Sequence, residues 1–200
     1  MLLVYAVAIG ILIGFATRGH LNALANVHIR FWPVALAGLF FQALLFSSPL
    51  AASVGSLGPV LYVASTALVL LSLIANYRLP GFWVIVAGAF LNLTAIVANG
   101  GYMPASPAAV SALQGTAVLP TTSYTNSAIA SGSTTLSFLG DIFVLPRPMP
   151  LANVFSIGDV LIGVGGAWFV IATMHGNASS LTRAVGEQAS RTPATRANRA

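Results

Sequence analysis

The chain has 200 residues, 57% of them hydrophobic and only 6% charged, whereas soluble domains carry about 25% charged residues. So little charge leaves no means of covering a water-facing surface, which predicts a protein that sits in lipid. The net charge of +5 comes from arginines at the ends of apolar runs and in the tail, a topology signal rather than a nucleic-acid patch, and the lack of cysteine excludes disulfides, thiolate metal sites and cysteine nucleophiles.

Residues 2–17 form the first apolar run. No basic stretch or small-residue cleavage site precedes Arg18, so the run reads as a retained helix rather than a secretory leader. Ala6, Gly10 and Gly14 recur every four residues, a row that lets another helix approach closely; packing within the chain is preferred over self-association. Residues 18–30 carry two Arg and two His, with Leu21, Leu24 and Val27 spaced for a short interfacial helix. Phe31 and Trp32 mark an aromatic belt, and Pro33 fits the first turn of a second span over 32–46. The third span covers 57–76, with Tyr77, Arg78 and Pro80 at its exit, and the fourth covers 81–98. Gln42, Ser65, Thr66, Asn92 and Thr94 are polar positions inside these runs. They are expected to hydrogen-bond between helices, with a pore lining as the sharper reading.

Asn99-Gly100-Gly101 ends the fourth helix, since glycine takes the left-handed conformation of a helix C-cap. Ser106-Pro107 opens a short helix over 107–114, and 115–135 is expected to be flexible or ordered only by a partner. Residues 99–153 as a whole cannot span a bilayer and read as one long loop. Ser156 and Asp159 have the spacing of a capping box at the start of a fifth span, 157–174, and Gly163 and Ala167 give that span a smooth packing face. A polar tail, 177–200, is expected to be disordered.

The fold expected from this pattern is all-α: a polytopic integral membrane protein with about five transmembrane helices in residues 1–176 and a long extracytoplasmic loop between the fourth and fifth. Seven arginines then fall on one face and Arg147 alone on the other, so the N-terminus is placed outside and the C-terminus in the cytoplasm. The same arrangement puts His20, His28 and His175 on the inner face and Asp141 and Asp159 on the outer. That disfavours a His–carboxylate dyad, and no metal or cofactor is expected. Asp159 is expected to cap its helix and Asp141 to pair with Arg147. The sharper expectation joins both aspartates and Arg147 in one polar cluster that pins the loop over the helices.

Three pieces, Asn99-Gly100-Gly101-Tyr102-Met103-Pro104, Leu139-Gly140-Asp141 with Leu145-Pro146, and Phe155-Ser156-Ile157-Gly158-Asp159-Val160, resemble the DUF5317 family of bacterial membrane proteins. The resemblance implies a multi-pass protein of the bacterial cytoplasmic membrane and supplies no reaction. It marks Asn99, Gly100, Gly101, Met103, Pro104, Asp141, Arg147, Ser156 and Asp159 as candidates for a polar cluster that docks a partner. Ala6, Gly10, Gly14, Gly163 and Ala167 remain candidates for helix packing. The expected role is a non-enzymatic accessory or scaffold subunit that binds the lipid bilayer and a membrane-protein partner through the outer loop, and no nucleic acid. The alternatives are a small-solute or ion transporter or channel, and a membrane enzyme using Asp141 and Asp159.

Overall fold

A computed structural model describes residues 2–47, 55–115 and 127–191. Its helices are α1 (Leu2–Ala16), α2 (Trp32–Ser47), α3 (Gly58–Ile74), α4 (Phe82–Ala98), α5 (Pro107–Gln114) and α6 (Ile157–Arg191). Four strands, β1 (Met103–Ala105), β2 (Ser127–Ile129), β3 (Asp141–Leu145) and β4 (Asn153–Ser156), make one sheet in the order β2-β1-β3-β4. The β1 strand runs parallel to β2 and β3, and β3 runs antiparallel to β4.

This sheet corrects the all-α expectation. The stretch read as one long loop with a short helix folds into a cap, because Ile142-Phe143-Val144 and Val154-Phe155 are short β-branched and aromatic runs that pair with one another. Their register is fixed partly by stacking of Phe143 on Phe155, with ring centroids 5.4 Å apart. Part of the expected flexible segment is also ordered here, as β2 and as a turn in which Thr134 accepts from the Ser131 amide; residues 116–126 lie outside the described residues.

The expectation of about five transmembrane helices is corrected as well. Among the described residues, two helical stretches of 20 residues, Gly55–Ile74 and Ile157–Gly176, are long and apolar enough to cross a membrane. The apolar helices α1, α2 and α4 have 15, 16 and 17 residues, about 23–26 Å at 1.5 Å per residue, short of a hydrocarbon core of about 30 Å. Composition alone hides this difference, since all five runs are strongly apolar whatever their helical length. The last helix also continues to Arg191, into the tail expected over 177–200; residues 192–200 lie outside the described residues.

Small residues set the packing. Along α1 and α6, which run parallel, Ala6 faces Gly163, Gly10 faces Ala167, and Gly14 faces Met174. A Cβ on Gly10 would come 3.0 Å from the Ala167 backbone, so the two backbones touch. The α4 and α6 helices run antiparallel, with Gly88 against the Gly158 carbonyl, Gly81 against Gly165, and Phe82 edge-to-face on Phe169 at 5.2 Å. The α2 and α3 helices are tied by Gln42, whose amide nitrogen donates to Ser65 Oγ at 3.0 Å and Thr66 Oγ1 at 3.1 Å.

Two ends result. One carries the ends of α1 and α3, the start of α2, and His175: the His20 amide donates to the Met174 carbonyl at 2.9 Å, and Asn76 holds the backbone of Arg30. The other end carries the sheet. At the first end α1 closes with a Schellman motif, in which Gly19 N–H reaches Gly14 O at 2.7 Å and Arg18 N–H reaches Phe15 O at 3.0 Å. Arg18 occupies the left-handed position at φ 68°, where glycine carries no Cβ penalty. Arg18→Gly is therefore expected to stabilise the fold by about 1 kcal/mol, read as a raised midpoint of thermal unfolding in mild detergent. An unchanged or lowered midpoint would mean that the arginine side chain offsets its own strain.

Candidate functional site

Three of the four glycines in the sequence pieces, Gly101, Gly140 and Gly158, mark places where a Cβ would meet a neighbouring segment. Gly101, at φ 91°, leaves no room for a Cβ beside Pro59 of α3; Gly140 leaves none beside the Pro104 carbonyl; Gly158 leaves none beside Asn92 and the Gly88 carbonyl. The pieces thus pack on one another, and the cap is seated on α3, α4 and α6 through contacts that a side chain would block. Met103 belongs to the buried core beneath the sheet with Ala95, Ile96 and Leu139. Gly100, at φ 67°, is the left-handed residue that follows the C-cap Asn99 of α4, with the Gly101 amide bonded back to Ile96 O at 2.9 Å. The Asn99 side chain accepts from the Thr135 amide at 3.0 Å and donates to the Thr135 carbonyl at 2.8 Å, so it pairs with the loop as a strand would.

A polar cluster lies where β3, β4 and α6 meet. Ser156 and Asp159 close a reciprocal capping box: Ser156 Oγ accepts from the Asp159 amide at 3.0 Å, and Asp159 Oδ2 accepts from the Ser156 amide at 3.0 Å. Asn92 of α4 then joins the two. Its Nδ2 donates to Asp159 Oδ1 at 3.0 Å and its Oδ1 accepts from Ser156 Oγ at 2.7 Å. Ser156 is fully buried, so these bonds form where water cannot replace them.

Asp141 stands opposite Ser156 in the sheet, as the first residue of β3. Its backbone carbonyl accepts from the Ser106 amide at 2.9 Å at the start of α5. Burial, and next the charge of Asp159, push the Asp141 carboxyl up to about 7 from the ordinary 3.8. Tyr62 of α3 lies in electrostatic reach of both carboxylates and packs on the buried core. Sequence reasoning missed Tyr62, whose one signal was a phenol in the first turns of an apolar helix. Asn92 was visible as a polar residue in an apolar run, but its link to the capping box was not.

Arg147 is not in this cluster. From Asp141 the chain runs out along the five residues of β3 to Leu145, about 13 Å away, and Arg147 lies in the exposed turn beyond it. The expected Asp141–Arg147 pair and the three-residue cluster with Arg147 are therefore corrected: the aspartates meet around Ser156, and Asn92 supplies the bonds assigned to the arginine. The two aspartates sit at the cap end and His20 and His175 at the opposite end. Among the described residues no three His, Asp or Glu side chains gather as a metal site.

Above the end of α4 the cap holds a groove of about 300 Å³, lined by Asn99, Tyr102, Pro104, Ile129, Ser131 and Thr134 among others. Every lining side chain is uncharged. The lining mixes hydroxyl and amide groups with apolar residues of β1 and β2.

The model of DUF5317, a family of unknown function, matches residues 26–171, which include the three sequence pieces, the cap and the polar cluster. No curated protein matches the chain, and no solved structure matches it.

Proposed function

The chain belongs to the DUF5317 family, and from that premise we propose that it is a non-enzymatic protein of the bacterial cytoplasmic membrane, an accessory subunit that docks a protein partner through its cap. The observation that carries this reading is the use made of the two carboxylates. Asp159 spends its acceptor capacity on Asn92 and on the Ser156 amide and so ties the cap to α4, while Asp141 is enclosed between β1 and β4, and neither acid lines the groove of the cap. A platform held this firmly presents its groove as a fixed surface, which lowers the ordering cost of docking.

The membrane setting is supported by what the helices expose. Leu12 is 68% exposed, Phe40 67% and Trp83 58%, on helices that carry no charged side chain over their apolar lengths. An outward face of this kind is stable in hydrocarbon and a liability in water. By the positive-inside rule the end with Arg18, Arg30 and Arg78 lies in the cytoplasm, and the cap lies outside.

Because the chain contains no cysteine, single cysteines can be placed at will. Ser131→Cys in the cap is expected to react with a membrane-impermeant maleimide in spheroplasts, and Asn22→Cys at the arginine end only after lysis. Recovery of the protein in the soluble fraction after an alkaline carbonate wash would overturn the membrane reading, and the reverse labelling would overturn the orientation. A photo-reactive residue at Ser133 is expected to give one discrete protein adduct. No adduct would remove the docking role.

A further inference from the structure

We infer that Arg30 and Arg78 form a headgroup site for an anionic phospholipid, set at the end of the α2/α3 pair opposite the cap. Asn76, only 6% exposed, holds the backbone of Arg30 from both sides: its Oδ1 accepts from the Arg30 amide at 2.8 Å and its Nδ2 donates to the Arg30 carbonyl at 2.8 Å. A third bond, from Nδ2 to the Ser72 carbonyl at 2.8 Å, fixes Asn76 itself. Arg78 follows two residues later, in the turn that leaves α3. One buried amide therefore couples two arginines that are 48 positions apart in sequence, and their neighbourhood is set before any ligand arrives.

Each guanidinium is backed by a ring. Arg30 Cζ lies 5.6 Å from the centre of Phe31, and Arg78 Cζ lies 5.5 Å from the centre of Tyr77, whose hydroxyl accepts from Arg78 Nε at 3.0 Å. Both arginines are exposed, and the two aspartates of the chain lie at the far end of the molecule. The charge is thus ordered, open and uncompensated by those carboxylates.

The ligand must be amphiphilic, and this selects a lipid over an acidic peptide. Directly beside the arginines, α2 and α3 expose Trp32, Leu36, Leu71 and Ile74, an apolar surface that continues away from the charged end. A phosphodiester on the guanidinium groups, with acyl chains along that surface, satisfies both halves. Arginine suits the phosphate oxygens through its planar fork of donors, and each basic residue near the membrane surface favours anionic lipid.

The inference rests on the membrane reading above, and the test separates the two. The full-length protein, purified in mild detergent from membranes and placed in nanodiscs of equal phosphatidylglycerol and phosphatidylcholine, is examined by native mass spectrometry for retained lipid. About tenfold preferential retention of phosphatidylglycerol is expected, with loss of the preference in Arg30→Gln/Arg78→Gln and not in Arg147→Gln. Retention of lipid without headgroup preference, or a preference that survives in the double variant, overturns the site while leaving the membrane reading intact. Retention of no lipid at all counts against the membrane reading. Should the double variant fail to fold, hydrogen exchange on the unaltered protein decides: amides at 28–32 and 76–79 are expected to be slower in phosphatidylglycerol than in phosphatidylcholine, and equal rates overturn the site.

Discussion

Asp141→Asn raises the midpoint of thermal unfolding at pH 8 and leaves it nearly unchanged at pH 4. The folded protein holds the Asp141 proton up to about pH 7, because burial disfavours the charged carboxylate and the nearby charge of Asp159 disfavours it further, whereas the unfolded chain releases it near 3.8. Between those values the folded state binds a proton that the unfolded state has lost. Stability therefore falls as pH rises through the window, by about 1.4 kcal/mol per pH unit at the full slope. It is highest below the unfolded value and levels off once the folded value is passed. Asparagine keeps the shape of the residue and removes the charge, so the unfolding midpoint of the variant should be flat over pH 4–7 where that of the parent declines. The measurement is thermal unfolding in mild detergent at several pH values, and a parent protein whose midpoint rises over that window would sink the argument.

The neighbouring aspartate provides the control of opposite sign. Asp159 accepts bonds from Asn92 and from the Ser156 amide, so Asp159→Asn strands at least one buried donor and weakens a charge-assisted bond, at a cost of about 1.5–3 kcal/mol. Two acids that meet around a single serine are thus expected to respond oppositely to the same isosteric change. That contrast depends on the geometry of the cluster and not on the general loss of negative charge.

The parts of this site that could be read from the sequence are the local ones. A Ser-x-x-Asp spacing fixes the capping box within four residues, and Asn99-Gly100 fixes the end of α4 within two, because both depend on the conformation of their own segment. The sheet depends on pairings across distance. Met103-Pro104-Ala105 is three residues long, contains a proline, and becomes a strand only because Ser127–Ile129 and Asp141 come to lie beside it. Nothing in its own composition announces this. The same reasoning explains Arg147. Proximity in sequence suggested a partner for Asp141, but extended chain separates residues that a turn would have joined. Span number failed for a different reason, since apolar composition measures preference for an environment and not the length of helix available to cross it.

Gly158→Ala and Gly176→Ala make the same chemical change in one helix, and they are expected to move stability in opposite directions. At Gly158 a Cβ would enter the space of the Asn92 side-chain oxygen and lie 2.6 Å from the Gly88 carbonyl oxygen. The carbonyl belongs to the backbone of α4 and cannot swing aside. Relief requires α4 and α6 to separate, which also breaks the bonds from Asn92 to Ser156 and Asp159. Overpacking costs about 1–3 kcal/mol, and the buried bonds lost with it add a comparable amount. At Gly176, among the described residues, no atom outside the helix's own neighbouring backbone lies within 4 Å of the added carbon, the residue is exposed, and the helix continues on both sides. There alanine only removes the backbone freedom of glycine, a gain of about 1 kcal/mol. Thermal unfolding of the two variants in the same detergent checks both signs. A tolerated Gly158→Ala would mean that the cap does not sit on α4 and α6 as closely as described, and the reading of the cap as a fixed platform would fall with it.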